Sequence, residues 1–179
     1  MLFRSARTAR AKLLEIARKN IANGGLYEWD AKDGTPRGSD FYSGSAGSLG
    51  QALIEGYFGV RLDRDSLSLE PRLGTDSGRI RVDLPACGRF AAYEYKYDDS
   101  ERKLTLSFAS DIPGRGEIRI LSPRPVGPAS QGGKAIRNSQ LEVKLDGAAV
   151  PYRVESVGED DIIVVASDYS THTLDIRLK

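Results

Sequence analysis

Carboxylates and aromatic rings lie close together in a polar stretch of the chain, residues 27–42. Glu28 is followed directly by Trp29, and Asp40 is two residues before Tyr42. Aromatic rings stack on the apolar face of a sugar, and carboxylates accept hydrogen bonds from its hydroxyl groups. Two carboxylates held at a suitable distance can also hydrolyse a glycosidic bond. The alternative is that the rings are buried against neighbouring elements and the segment is structural.

A second candidate follows directly, where Ser43, Gly44 and Ser45 open a predicted helix. A hydroxyl group and free backbone N–H groups at a helix N-terminus favour an anion such as phosphate. The alternative is that Ser43 or Ser45 caps the helix. Together the two segments give six candidate substrate-binding residues, Glu28, Trp29, Asp40, Tyr42, Ser43 and Ser45.

Other kinds of site find little support. The chain has one histidine and one cysteine, His172 and Cys87, which cannot supply the ligands of a zinc site. A Ser-His-Asp arrangement would need His172, and no nucleophile-elbow pattern accompanies it. The turn Gly44–Gly47 has no lysine after it and is not a phosphate loop. We therefore expect no metal, no cofactor and no catalytic residues in this chain.

Two helices must position the candidate residues. Apolar residues at helical spacing predict a helix over 5–22, and Asn23-Gly24-Gly25 predicts its end. A second helix, predicted over 45–58, is apolar on nearly every side, which is typical of a helix packed among others. One other helix cannot cover that surface. The chain therefore self-associates or packs against helices from elsewhere.

Beyond residue 66 the hydrophobic period changes to two, which indicates strands. Asp146-Gly147, between two such runs, predicts a hairpin with a type I′ turn. The segment 123–133 is rich in proline and glycine and is expected to be a mobile loop. The nine predicted strands span 67–69, 79–84, 89–97, 103–109, 117–121, 140–145, 150–157, 161–166 and 173–178.

The predicted fold class is α+β, with two N-terminal helices followed by an antiparallel, jelly-roll-like β-sandwich of about nine strands. We divide the chain into a helical segment, 1–62, and a sandwich domain, 63–179. The formal charge of +1 over 179 residues predicts no nucleic-acid or membrane partner. A lone cysteine and a basic N-terminus without an apolar stretch predict a cytoplasmic protein.

Three sequence segments resemble the end of an (α/α)6-barrel glycoside hydrolase or phosphorylase, of the cellobiose phosphorylase type. They are Tyr42–Gly47 (YSGSAG), Ile54–Val60 (IEGYFGV) and Leu67–Leu73 (LSLEPRL). In the family, a Ser-Gly-Thr-Ala-Gly-like turn opens a late barrel helix, and an L-x-x-x-P strand begins a C-terminal jelly roll. The resemblance covers about residues 24–73, and the later strands agree with the family in architecture alone.

The resemblance implies a carbohydrate partner and a role for Ser45 in holding phosphate. Where the phosphorylases usually have an aromatic residue after the Ala-Gly, this chain has Ser48. The barrel has about twelve helices and two are visible here, so the chain is not expected to catalyse alone. Three hypotheses stay open. In the first, the chain is the C-terminal part of such an enzyme and is completed by a chain supplying the rest of the barrel. In the second, it is a carbohydrate-binding or stabilising module. In the third, it is a structural homo-oligomer.

Overall fold

The computed structural model describes residues 6–123, 141–158 and 160–178, and the predicted loop 123–133 lies, apart from Pro123, outside the described residues. Helix α1 spans Ala6–Ala22, close to the predicted range. Its end is a Schellman motif, in which Gly25 N–H bonds Asn20 O and Gly24 N–H bonds Ile21 O, both at 3.1 Å. Gly24 adopts the left-handed conformation that this motif requires.

The second helix, α2, spans Ser43–Gln51 and continues as a π-helical segment, Ala52–Tyr57. It begins two residues before the predicted start, and Tyr42 is its N-cap, without a side-chain capping bond. The alternative prediction, that Ser43 or Ser45 caps the helix, is therefore wrong. The wider π-turn ends with a bond from Phe58 N–H to Leu53 O at 2.9 Å. None of the residues in α2 or the π-segment is buried.

Most strands of the described residues form two facing sheets. One sheet has the order β10-β9-β13-β7-β6-β5 and the other β11-β12-β8-β4-β3. All pairs are antiparallel except β4 with β8. The strands are β1 (Trp29–Asp30), β2 (Pro36–Arg37), β3 (Val60–Leu62), β4 (Leu67–Leu69), β5 (Gly78–Leu84), β6 (Arg89–Asp98), β7 (Lys103–Ser110), β8 (Arg115–Leu121), β9 (Leu141–Leu145), β10 (Ala148–Ala149), β11 (Tyr152–Val157), β12 (Asp160–Asp168) and β13 (His172–Leu178).

The core lies between the two sheets and follows the alternation of the sequence. Leu104, Leu106 and Phe108 of β7 point inward beside Leu174 and Ile176 of β13, and all five are buried. Each predicted strand has its counterpart, and the additional ones, β1, β2, β3 and β10, are two or three residues long. The predicted α+β fold with an antiparallel sandwich is confirmed.

The hairpin predicted from Asp146-Gly147 is present between β9 and β10. Leu145 pairs with Ala148, which leaves two loop residues, and their φ angles are 51° and 81°. Two positive φ values in a two-residue loop are the signature of a type I′ turn. The turn brings Asp146 to the edge where β13 begins, since Asp146 N–H donates to Thr173 O at 2.8 Å.

An ion-pair network covers the outer face of the five-stranded sheet. Val164 is almost fully buried, but it does not belong to the core between the sheets. Its chain neighbours Ile163 and Val165 do belong to that core. It pairs with Arg119 on one side and Arg153 on the other. Arg153 donates twice to Glu117 at 2.7 Å, and Arg119 donates to Glu155 at 2.6 Å. The arginine stems shield this valine while their charged ends are paired.

A tight junction joins the helical end to the sandwich. Gly59 has φ 67° and is buried against the backbone of Glu70, whose N–H donates to Gly59 O at 2.7 Å. A Cβ atom at Gly59 would lie far inside van der Waals contact with the Glu70 carbonyl. Tyr93, from the sandwich, donates to Phe58 O at 2.6 Å. Strand β3 starts at Val60, directly after Gly59, so the end of the helix and the first strand of the sandwich are fixed together.

Helix α1 is attached to this junction through a polar contact. Arg10 forms an ion pair with Asp76 and donates to its Oδ1 atom at 2.9 Å, and Tyr57 donates to the Oδ2 atom at 2.7 Å. Burial, then the bond to Asp76, raises the pKa of the Tyr57 hydroxyl, so it stays protonated and donates. The division into segments 1–62 and 63–179 stays a prediction.

We predict that Gly59→Ala destabilises the protein far more than Gly88→Ala. Both glycines have φ 67°, but a Cβ at Gly88 meets nothing within 4 Å. Gly88→Ala should therefore cost about 1 kcal/mol through backbone strain alone. Gly59→Ala should cost at least ~2 kcal/mol more because of the clash with Glu70. Urea unfolding measures both, and equal costs would contradict the junction described here.

Candidate functional site

A small hairpin presents Trp29. Strands β1 and β2 pair Trp29 with Arg37 and Asp30 with Pro36. The turn between them is closed by Ala31 N–H, which donates to Thr35 O at 2.9 Å. Asp30 forms an ion pair with Lys19 of α1 at 2.8 Å. The hairpin is therefore attached to α1, and Trp29 remains 56% exposed.

Glu28 and Trp29 lie side by side above one glycine. A Cβ atom built on Gly38 would be 2.6 Å from Glu28 Cβ, 2.7 Å from its Oε2 and 2.8 Å from Trp29 Cζ3. Gly38 has φ 80° and leaves room for both side chains. Within the described ranges, neither Glu28 nor Arg37 forms an ion pair. An exposed ring and a solvent-facing carboxylate are thus adjacent.

Asp40 and Tyr42 lie in the segment that connects β2 to α2. Tyr42 N–H donates to Leu26 O at 2.7 Å, and its ring lies against Gly44, 2.8 Å from a Cβ built there. The ring is 39% exposed. Asp40 is exposed and forms no ion pair among residues that the structure describes. Neither aromatic ring of the predicted set is buried, and the carboxylates do not pair with Arg37.

The serines differ from each other. Ser43 is exposed in the first turn of α2, while Ser45 is half-buried and donates its hydroxyl hydrogen to Tyr27 O at 2.8 Å. A serine hydroxyl has one hydrogen. Ser45 could donate to a phosphate only by giving up this bond, which connects α2 to the segment before the hairpin. The N–H groups of the first turn remain without helical partners.

A groove between α1 and α2 lies apart from the predicted residues. It has a volume of about 540 Å³ and is lined mainly by apolar groups, including Ala17 and Ile21 of α1, Leu49 of α2, and Phe41. None of the six candidate residues lines it. Sequence analysis did not predict this groove, although the helical spacing of Ala17 and Ile21 marks the α1 face that contributes to it.

The single histidine lies in a cluster at one end of the sandwich. His172 Nδ1 is 2.6 Å from Asp146 Oδ2, and Nε2 is 2.9 Å from Asp168 Oδ1. Ser170 Oγ is 3.0 Å from Nε2 but donates to Asp168 at 2.5 Å. The hydrogen bonds to Asp146 and Asp168 raise the pKa of His172. A protonated imidazole between two carboxylates is not a general base, so this Ser-His-Asp geometry is a structural clamp.

The clamp should make stability depend on pH. Because the pKa of His172 is raised, its contribution to the stability of the fold is complete when the pH is below the ordinary pKa of 6.5. That contribution is lost as the pH rises through the raised pKa. Hydrogen bonds with backbone, Ser170 and His172 lower the pKa values of Asp146 and Asp168, so their contribution is lost as pH falls below the ordinary 3.8. The clamp is strongest between these limits.

We therefore predict that His172→Gln lowers the urea midpoint most at about pH 5.5. The difference from the unaltered protein should shrink as the pH rises above 6.5 and through the raised pKa of His172, because His172 then becomes neutral in the parent too. His172 is the only histidine in the chain, so its titration can be followed directly by NMR. A difference that is constant with pH would contradict the charged clamp.

Among residues 6–123, 141–158 and 160–178, no group of three or more His, Cys, Asp or Glu side chains is arranged to hold a metal ion. No helix of the described residues is long and apolar enough to cross a membrane.

No family model matches the chain, and no curated protein matches it either. Among solved structures, the chain is similar to Ara127N-Se, a GH127 beta-L-arabinofuranosidase from Geobacillus stearothermophilus T6. The TM-score is 0.40 and the identity 13%, and the match covers 75% of this chain and 18% of that chain. The chain therefore spans less than a fifth of the length of that enzyme.

Proposed function

We propose that this chain is a C-terminal module of a carbohydrate-active enzyme of the glycoside hydrolase type, and that it binds carbohydrate without catalysing alone. The observation that carries the proposal is the exposed ring of Trp29 beside the carboxylate of Glu28 over Gly38. The ring suits the apolar face of a pyranose, and the adjacent carboxylate suits the hydroxyl groups at its edge. The resemblance of residues 24–73 to the end of a helical barrel supports the same conclusion.

Tyr42, Asp40 and Ser43 extend this surface toward the start of α2. All three are exposed, and the free N–H groups of the first helical turn offer donors to sugar hydroxyls or to an anion. Ser45 holds the segment in place through its bond to Tyr27. In this proposal Ser45 positions the binding loop, and the phosphate role implied by the family resemblance is the weaker one.

The barrel resemblance also suggests a partner chain that supplies the missing helices. No residue of α2 or the π-segment is buried, which is how a barrel helix looks without its neighbours. The second candidate function is a stand-alone carbohydrate-binding or oligomerising module, favoured by the core that lies wholly between the two sheets. Activity that appears only on adding a barrel-bearing chain would select the first candidate.

Trp29→Ala should weaken oligosaccharide binding at least about tenfold, because stacking removes most of an exposed aromatic ring from water. The fold should be unchanged, since the ring is largely exposed. Val157→Ala is the control, because Val157 on the sandwich is also 56% exposed. Binding is measured by calorimetry on ligands found with a panel of immobilised oligosaccharides. Absence of any ligand, or equal affinity of the Trp29 variant, would contradict the proposal.

The isolated chain should not turn over aryl glycosides. Hydrolysis needs two carboxylates about 5–10 Å apart across a cleft, and Glu28 lies exposed beside the small hairpin. The measurement compares release of the aryl group by this chain with that by Glu28→Gln. Turnover that depends on Glu28 would show that the chain is an enzyme on its own.

A further inference from the structure

The hairpin that carries Trp29 has two different faces. Trp29 is directly opposite Arg37, and Asp30 is opposite Pro36. Directly opposed residues of an antiparallel pair project to the same face, and successive residues of a strand project to opposite faces. The Asp30 face is turned toward α1, because Asp30 Oδ2 is 2.8 Å from Lys19 Nζ. Trp29 and Arg37 therefore share the face that is turned away from α1.

Arg37 is an exposed cation without a partner. Within the described part of the chain, its side chain forms no ion pair and no hydrogen bond. Glu28, which lies over the next residue, Gly38, is exposed and also forms no ion pair there. The exposed ring of Trp29 thus has one uncompensated charge of each sign beside it. Both charges are free to bind a ligand that stacks on the ring.

A uronic acid matches these three groups better than a neutral sugar does. It has an apolar ring face for Trp29, hydroxyl groups that can donate to Glu28, and one carboxylate for Arg37. The guanidinium group is planar and presents parallel N–H donors that fit the two oxygens of a carboxylate. Hydrogen bonds between ionised partners are about twice as strong as those between neutral groups. Repulsion by Glu28 turns the sugar carboxylate toward Arg37 and so fixes the orientation of the ligand.

We infer that the sugar bound at Trp29 is a uronic acid and that Arg37 is the residue that determines this specificity. The inference deepens the proposed carbohydrate-binding function and rests on it. Arg37 is a new member of the site, because the candidate residues given by the sequence do not include it. A sulfate ester on a neutral sugar would offer Arg37 the same negative charge in a tetrahedral group, and the experiment below distinguishes the two.

The test compares ligands that differ only in the charged group. Calorimetry with the full chain measures binding of oligomers of galacturonic, glucuronic and mannuronic acid, and of the neutral hexose oligomers with the same linkage and length. At least one uronic acid oligomer should bind at least about tenfold more tightly than its neutral counterpart. The difference should shrink as sodium chloride is added, because salt screens an exposed ion pair. The neutral oligomer carrying sulfate esters should bind more weakly than the uronic acid oligomer.

Three variants assign the preference to Arg37. Arg37→Gln should abolish the preference for the uronic acid and leave the affinity for the neutral oligomer unchanged. Arg37→Lys keeps the charge but loses the planar pair of donors, so it should retain only part of the preference. Arg64→Gln is the matched control, because Arg64 is also exposed and forms no ion pair among the described residues. It lies in the turn between β3 and β4, and its loss should change neither affinity.

The outcomes separate this inference from the function on which it rests. Trp29→Ala should weaken binding of charged and neutral oligomers alike. Binding that depends on Trp29 but not on Arg37 overturns the assignment of a uronic acid and leaves the carbohydrate-binding surface in place. The same holds if no uronic acid oligomer binds more tightly than its neutral counterpart, or if the sulfated oligomer binds equally well. Absence of binding to any sugar contradicts both.

Discussion

The close approach of Gly59 to the backbone of Glu70 determines how the two parts of this chain meet. The π-segment ends at Tyr57 with Phe58 as its C-cap, and after Gly59 the chain enters the five-stranded sheet at Val60. Such an abrupt change of direction needs a left-handed residue and space for a carbonyl group beside it, and only glycine provides both. The Tyr93 hydroxyl bond to Phe58 O then fixes the last helical carbonyl to the opposite sheet.

The helical layer depends on this junction because it has little core of its own. Gly47, Gly50 and Gly56 face open space, and each lowers helix propensity by about 1 kcal/mol relative to alanine. No residue of α2 or the π-segment is fully buried, so little packing within the described residues offsets that cost. Polar contacts supply part of the attachment instead, chiefly Arg10 with Asp76. The sandwich, by contrast, holds a continuous core between two sheets.

Sequence periodicity was sufficient to predict the strands of the sandwich because each strand buries one face. The runs Ile80-Val82-Leu84 and Leu174-Ile176-Leu178 each mark an inward face, and Asp146-Gly147 dictates its turn. The alternation does not predict that Val164 is buried, since its burial depends on arginine stems from neighbouring strands.

Other features could not be predicted because they depend on contacts between distant segments. The start of α2 is set by Tyr42, whose N–H is held by Leu26 O, and not by a capping serine. The His172 clamp requires turns that are 26 residues apart in the chain, and periodicity carries no information on such distances. Of the candidate site, the exposed carboxylates and rings were expected, but the pairing of Glu28 with Trp29 over Gly38 needed the hairpin geometry.

The proposed sugar-binding surface is connected to the sandwich through α1. The hairpin that carries Trp29 is attached to this helix by Lys19 and Asp30, and the groove uses the same helix two residues further along, at Ile21. Within the described chain, α1 is itself joined to the sandwich side mainly through Arg10. The position of Trp29 relative to the sandwich therefore depends partly on the contact between Arg10 and Asp76.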